Sequence, residues 1–204
     1  MQQAIVRLLT LTLLGLSATI SIAWAQDAPV RIRGTIEKVE GDTYLVKARD
    51  GAELKLKLAP NATVVALVQA TPADIKQGTY IGVSGMPQAD GSQKALEVHI
   101  FPEAMRGVGD GHRGWDLQAS STMTNGNVET TAASSDGQSV TLKYKDGEKK
   151  IAIPPGIPIV LYVPGETSEL KPGAKIFVSA ASKQPDGTLQ APRVNVGRGV
   201  APPM

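Results

Sequence analysis

Polar and apolar residues alternate along much of the chain. Leu54, Leu56 and Leu58 are interleaved with Glu53, Lys55 and Lys57, and Val140, Leu142 and Tyr144 with Thr141, Lys143 and Lys145. A period of two predicts strands with one buried face. Asp-Gly pairs at 50–51 and 146–147 stand between such runs, where hairpin turns belong. Further strands are predicted at 80–85, 93–101, 174–181 and 188–196. Helical signals are short: Thr71-Pro72-Ala73-Asp74-Ile75-Lys76 opens with a capping threonine and a proline at the first helical position, and Thr167-Ser168-Glu169-Leu170-Lys171 stops at Pro172.

The pattern occurs twice. Gly34-Thr35-Ile36-Glu37 is answered by Gly126-Asn127-Val128-Glu129, and Lys47-Ala48-Arg49-Asp50-Gly51 by Lys143-Tyr144-Lys145-Asp146-Gly147. Asp74-Ile75-Lys76-Gln77-Gly78 is echoed by Glu169-Leu170-Lys171-Pro172-Gly173, and Gln88-Ala89-Asp90-Gly91 by Gln184-Pro185-Asp186-Gly187. Matches in the same order indicate a duplication. Each copy supplies three strands, a longer connection with one short helical turn, and two more strands. The expected fold is all-β, two tandem five-stranded OB-like barrels at 26–100 and 126–197, with a pair of small β-sandwiches as the alternative.

Residues 1–25 stand apart. Arg7 precedes an apolar run from Leu8 to Ile22, and Ala23-Trp24-Ala25 offers small residues at a cleavage site, so a signal peptide is predicted and the mature chain begins near Gln26. The run is short for a spanning helix and holds threonines, serines and a glycine, so no stable membrane insertion is expected after cleavage. This places the protein in the periplasm or outside the cell. The sequence contains no cysteine, so stability comes from packing rather than disulfides. Losing residues 1–25 removes Arg7 and no acid, which takes the formal charge from +2 to +1. That near balance, with only 4% aromatic residues, argues against nucleic acid as a partner.

Between the copies lies a glycine-rich connector, 101–125, and after the second copy a tail, 198–204, expected to be flexible. His99-Ile100-Phe101-Pro102-Glu103, followed by Gly109-Asp110-Gly111-His112 and Trp115-Asp116, resembles a tandem subset of an exported bacterial OB-like family of unknown function. The resemblance covers nearly the whole mature chain and implies no catalytic residues. Members are sometimes labelled metal ABC transporter permeases, a label the missing membrane spans do not support.

The connector concentrates the chemistry. Glu97 and His99 are expected on the strand face opposite Leu96, Val98 and Ile100, with His99 facing solvent. Asn195 stands at the matching place in copy two, so the framework itself does not need an imidazole there. Metal candidates are His99, Glu103, Asp110 and His112, a nitrogen and oxygen set suited to zinc or, with Met105 and Met123, to copper. Ligand-binding candidates are Arg106, His112, Arg113, Trp115 and Asp116: forked guanidinium groups beside an indole suit a carboxylate or phosphate. The competing reading has Trp115 plugging the seam between the barrels while the arginines pair with Glu103, Asp110 or Asp116. Neither a Gly-x-Ser-x-Gly elbow nor a phosphate-loop setting occurs, so catalysis, a hydrolase included, is not expected. The function expected is a non-enzymatic envelope binding or adaptor protein, for a partner protein or a small polar ligand, with its site at the inter-barrel connector. The alternative is a periplasmic zinc- or copper-binding protein using His99 and His112.

Overall fold

Twelve strands account for the architecture in a computed structural model that describes residues 28–134 and 136–203. The predicted signal peptide lies outside the described residues. In order the strands are β1 (Val30–Glu40), β2 (Thr43–Ala48), β3 (Glu53–Gln69), β4 (Tyr80–Pro87), β5 (Gln93–Ile100) and β6 (Gly111–Gly114), then β7 (Thr122–Ser134), β8 (Gly137–Tyr144), β9 (Gly147–Ile153), β10 (Ile159–Pro164), β11 (Lys175–Lys183) and β12 (Leu189–Gly197). Helical structure among the described residues is limited to 3-10 turns, two of them at the predicted places, Pro72–Asp74 and Thr167–Glu169. None is long and apolar enough to cross a membrane.

The two copies repeat contacts as well as letters. Asp90 and Asp186 each accept a hydrogen bond from the backbone two residues on, Ser92 N and Thr188 N, both at 2.9 Å. Such side-chain caps hold tight turns. Asp74 and Glu169 likewise reach back to the backbone N–H of Thr71 and Glu166, at 2.8 and 2.9 Å.

The strand pairing differs from the expected tandem arrangement. One five-strand barrel closes through β1, β2, β3, β12 and β11, with β12 lying parallel to β3 and β11 antiparallel to β1. It takes its first three strands from one copy and its last two from the other. Of the remaining seven strands, five run β5-β4-β7-β8-β9, with β6 on β7 and β10 parallel to β5, and β9 returns to β5 through the parallel pairs Gln93↔Ile151 and Lys94↔Ala152. The copies are thus interlaced, and the boundaries 26–100 and 126–197 do not coincide with the groups of paired strands. A physical reason is at hand: both copies present the same edges, so a strand finds equivalent partners in its own copy and in the other.

The groups join where β3 meets β10. In copy one the chain passes through Pro60-Asn61 without a break in β3, with Asn61 at φ 61° marking the irregularity. In copy two the equivalent stretch carries Pro154-Pro155 and Pro158, which cannot donate to a ladder, and it divides into β9 and β10. Val65 pairs with Asn195 and Val160 with His99, so Val65 and Val160 are counterparts. The β3–β10 ladder sets Gln69 against Val160 and Val65 against Pro164, centred on Leu67 opposite Tyr162. Equivalent positions therefore face each other across an approximate twofold axis.

Each strand group encloses its own apolar core, one around Ile36, Leu56, Ile176 and Val194, the other around Ile81, Val98, Val128 and Leu142. A third cluster, Val65, Leu67, Val160, Tyr162 and Phe177, fills the seam, with Phe101, Met105, Trp115 and Val200 packed against it. The tail beyond Gly197 is a correction to expectation. Arg198 N donates to Leu67 O at 2.9 Å, its guanidinium pairs with Glu169 at 2.8 Å, and Pro202 is buried. Its few residues find partners on β3 and the Thr167–Glu169 turn, which the glycine and proline content did not reveal.

Candidate functional site

His99 shows how far the seam departs from a solvent-facing surface. It lies on β5, whose two edges pair with β4 and β10, and its side chain packs against the Tyr162 ring in the seam and is 1% exposed. The solvent-facing position expected for it is therefore wrong: the outer face of the β5 group is the inner face of the seam. Burial pushes its imidazole down to about 3, so the ring is neutral. Its Nε2 lies 3.7 Å from Glu97 Oε1, beyond hydrogen-bond reach, and its ring stands edge-on to Tyr162.

Beside His99 opens a cavity of about 290 Å³. His99, Phe101, Tyr162, Phe177 and Asn195 line it. Arg31 enters from β1 and Arg193 from β12, while the connector contributes Met105, Arg113 and Trp115. Among the described residues no aspartate or glutamate lines it. Phe101 stacks on Tyr162 with centroids 4.9 Å apart. The Trp115 ring is flanked by two guanidinium groups, Arg31 at 4.2 Å and Arg113 at 5.7 Å. Partial burial, then the like charge of Arg31, holds Arg113 below its usual value.

Several buried polar atoms here have no hydrogen-bond partner: His99 Nε2, Trp115 Nε1 and Asn195 Oδ1. Asn125, also at the cavity, is held through Nδ2 donating to Val108 O at 2.9 Å, while its Oδ1 is unpaired. Buried polar groups are nearly always satisfied, so a cluster of unsatisfied ones marks a place where a bound molecule has something to meet.

The connector is tied to both strand groups. Asp110 accepts from Lys145 N at 2.7 Å, and Asp116 accepts from Arg33 at 2.7 Å and pairs with Arg31 at 3.1 Å. Hydrogen bonds from Arg33 and Arg31 lower the Asp116 carboxyl to about 2, against partial burial. Arg106 is consumed locally: it clasps Glu103 through two 2.6 Å hydrogen bonds and reaches Gly78 O and the Asn127 side chain. Of the ligand-binding candidates, Arg113 and Trp115 line the cavity, whereas Arg106, His112 and Asp116 do not.

His112 is an exposed strand residue serving a buried chain of hydrogen bonds. Thr124 gives its proton to Gln93 Oε1 at 2.8 Å, so the 2.7 Å contact to His112 requires His112 Nδ1 to donate. Gln93 in turn donates to Thr122 O at 2.9 Å. Partial burial, Lys149 and Arg113 lower the imidazole value. The metal candidates thus have separate partners: His99 in the cavity, Glu103 on Arg106, Asp110 on Lys145 and His112 on Thr124. Among the described residues no group of three or more such side chains is placed to hold an ion.

Arg31, Arg193, Asn195, Tyr162 and Phe177 were not among the sequence candidates. One signal pointed at them: they fall where the copies disagree, Arg31 against Met123, Arg193 against Glu97 and Asn195 against His99. Comparison with family models, with curated proteins and with solved structures finds no match to this chain.

Proposed function

We propose that this is an exported, non-enzymatic binding protein built on OB-like barrels, whose small polar ligand sits in the cavity between them. The observation that carries the reading is the cavity itself: a concave seam lined by arginines and aromatic rings, with no acid among its described lining residues. Seams between structural units are favoured places for ligand sites. The OB-like part is supported by the order of the closed barrel, in which β3 lies parallel to the last strand.

A thermal-shift screen of small metabolites of both charge signs tests the proposal, run on the protein and on a Ser179→Trp variant. Ser179 is exposed on the cavity's rim, so tryptophan there obstructs the mouth without disturbing a core. Expected are compounds that raise the melting temperature of the protein and leave the variant unmoved. A screen in which every stabilising compound acts equally on both overturns the seam as the site.

A further inference from the structure

We propose that the seam cavity takes a small planar organic anion, an aromatic or heteroaromatic carboxylate, with its ring among the aromatic walls and its carboxylate on the lining arginines. The proposal rests on the seam reading above and narrows it to a ligand class.

Charge is the first argument. Arg31 has an acid, Asp116, at 3.1 Å. Arg113 donates instead to a neutral carbonyl, Gly109 O, at 2.7 Å, and Arg193 makes no ion pair among the described residues. The buried acid Glu97 lies 3.7 Å from His99 Nε2 and is not among the residues that line the space. Two guanidinium groups therefore line a half-open space with no carboxylate among its described lining residues, and a planar fork is matched best by a carboxylate.

Size and shape are the second. An apolar cavity of about 150 Å³ holds one benzene ring. At about 290 Å³ there is space for one ring and its substituents. Phe101 and Tyr162 stack at only 22° to one another, and both rings line the space. Trp115 and Phe177 complete an aromatic lining that an inorganic anion would leave without a partner.

The duplication points the same way. Across the approximate axis, Glu97 in one copy is replaced by Arg193 in the other, and Met123 by Arg31. Both differences put a cation into the cavity wall where the other copy has an acid or an apolar group, while the strand pairing is preserved.

Trp115 supplies the readout. The chain's other tryptophan is Trp24, so a Trp24→Phe chain reports on the cavity alone. The probes are benzoate, 4-hydroxybenzoate, benzamide, cyclohexanecarboxylate and inorganic phosphate, titrated against Trp115 emission. Expected is saturable binding of an aromatic carboxylate, weakened about tenfold in benzamide, which keeps the ring and loses the charge. Cyclohexanecarboxylate, which keeps the charge and loses the flat ring, weakens as well. Arg113→Gln and Arg193→Gln each cost about tenfold in affinity, with melting temperatures near that of the parent chain. Benzamide, cyclohexanecarboxylate or phosphate binding as tightly as benzoate overturns the class, as does the failure of both aromatic carboxylates. If the metabolite screen still yields compounds blocked by Ser179→Trp, the seam reading survives that failure; without them, both fall.

Discussion

The interiors of the strand groups and the seam between them have followed different rules since the chain was duplicated. Inside, counterparts are alike: Ile81 and Ile176 are buried at 0% and 2%, and Gly34 and Gly126 both let a neighbouring strand approach. At the seam counterparts differ in charge and size: His99 against Asn195, Glu97 against Arg193, Leu67 against Tyr162 and Gly82 against Phe177. A closed set of strands imposes the same packing on both copies, while the surface around an axis of approximate symmetry meets itself only once. A Cβ at Gly82 would lie 2.7 Å from Asn125 Oδ1 and 3.0 Å from the Phe101 ring, so Phe101 crowds the space that a side chain would occupy. Duplication supplied the frame, and divergence at the seam supplied a cavity.

The largest effect that tests this contrast comes from Ile81→Ala and Ile176→Ala. Each leaves a core void and lowers stability by about 2–5 kcal/mol. Because each copy contributes strands to both groups, calorimetry is expected to record one unfolding transition that both substitutions lower alike. Two transitions, each shifted by one substitution only, would mean that the groups melt independently despite their shared strands.

A smaller matched effect is expected at Gly34 and Gly126. A Cβ at Gly126 would sit 2.6 Å from Lys143 O, and one at Gly34 would clash with Lys47 O. Alanine at either position overpacks a strand crossing and costs about 1–3 kcal/mol by denaturant titration, similarly in the two copies. A large inequality would mean that the frame has diverged too.

Much of this frame was legible in the sequence. Alternation located β3 and β8, and the short helical signals found their 3-10 turns, because local sterics and turn chemistry set these features. Interlacing was not legible, since Arg33 can face Phe177 or its equivalent Gly82 without any change in the pattern of apolar positions. The same ambiguity misplaced His99. Its strand has Val98 and Ile100 in a core, but whether the other face meets water depends on side chains such as Tyr162, more than fifty residues away, which packs against the His99 ring. Of the connector, Trp115 and Arg113 were identified as candidates from residue type; their partners Arg31 and Gly109, and the separate employment of His112, depend on tertiary contacts.

His99 offers a sharper comparison, since its counterpart is asparagine. The folded imidazole titrates near 3, below the ordinary value of 6.5, so the unfolded chain binds the extra proton between these limits. Stability contributed by the neutral ring is complete above about pH 6.5 and is lost as pH falls toward 3, at about 1 kcal/mol per pH unit. His99→Asn places in copy one the side chain found in copy two and removes this slope. Urea titrations from pH 7 to 4 are expected to show a shallower decline for the variant; parallel curves would show that His99 does not govern the acid response.

The smallest effect concerns Asp116, which belongs to neither copy and links the connector to β1. Its carboxyl titrates near 2 rather than 3.8, chiefly through the hydrogen bond from Arg33, so its contribution is present above about pH 4 and is lost as pH falls toward 2. The side chain is 47% exposed, and water screens the pair, so Asp116→Asn is expected to cost no more than about 1 kcal/mol at neutral pH. The variant's stability then converges on that of the parent as pH falls through this window, because the parent loses the same ion pairs. Arg33 has an uncharged counterpart, Asn125, at the equivalent place on β7. If Asp116 instead proves worth several kcal/mol, the connector is a main support of the strand groups, and the seam could no longer be regarded as free to diverge around it.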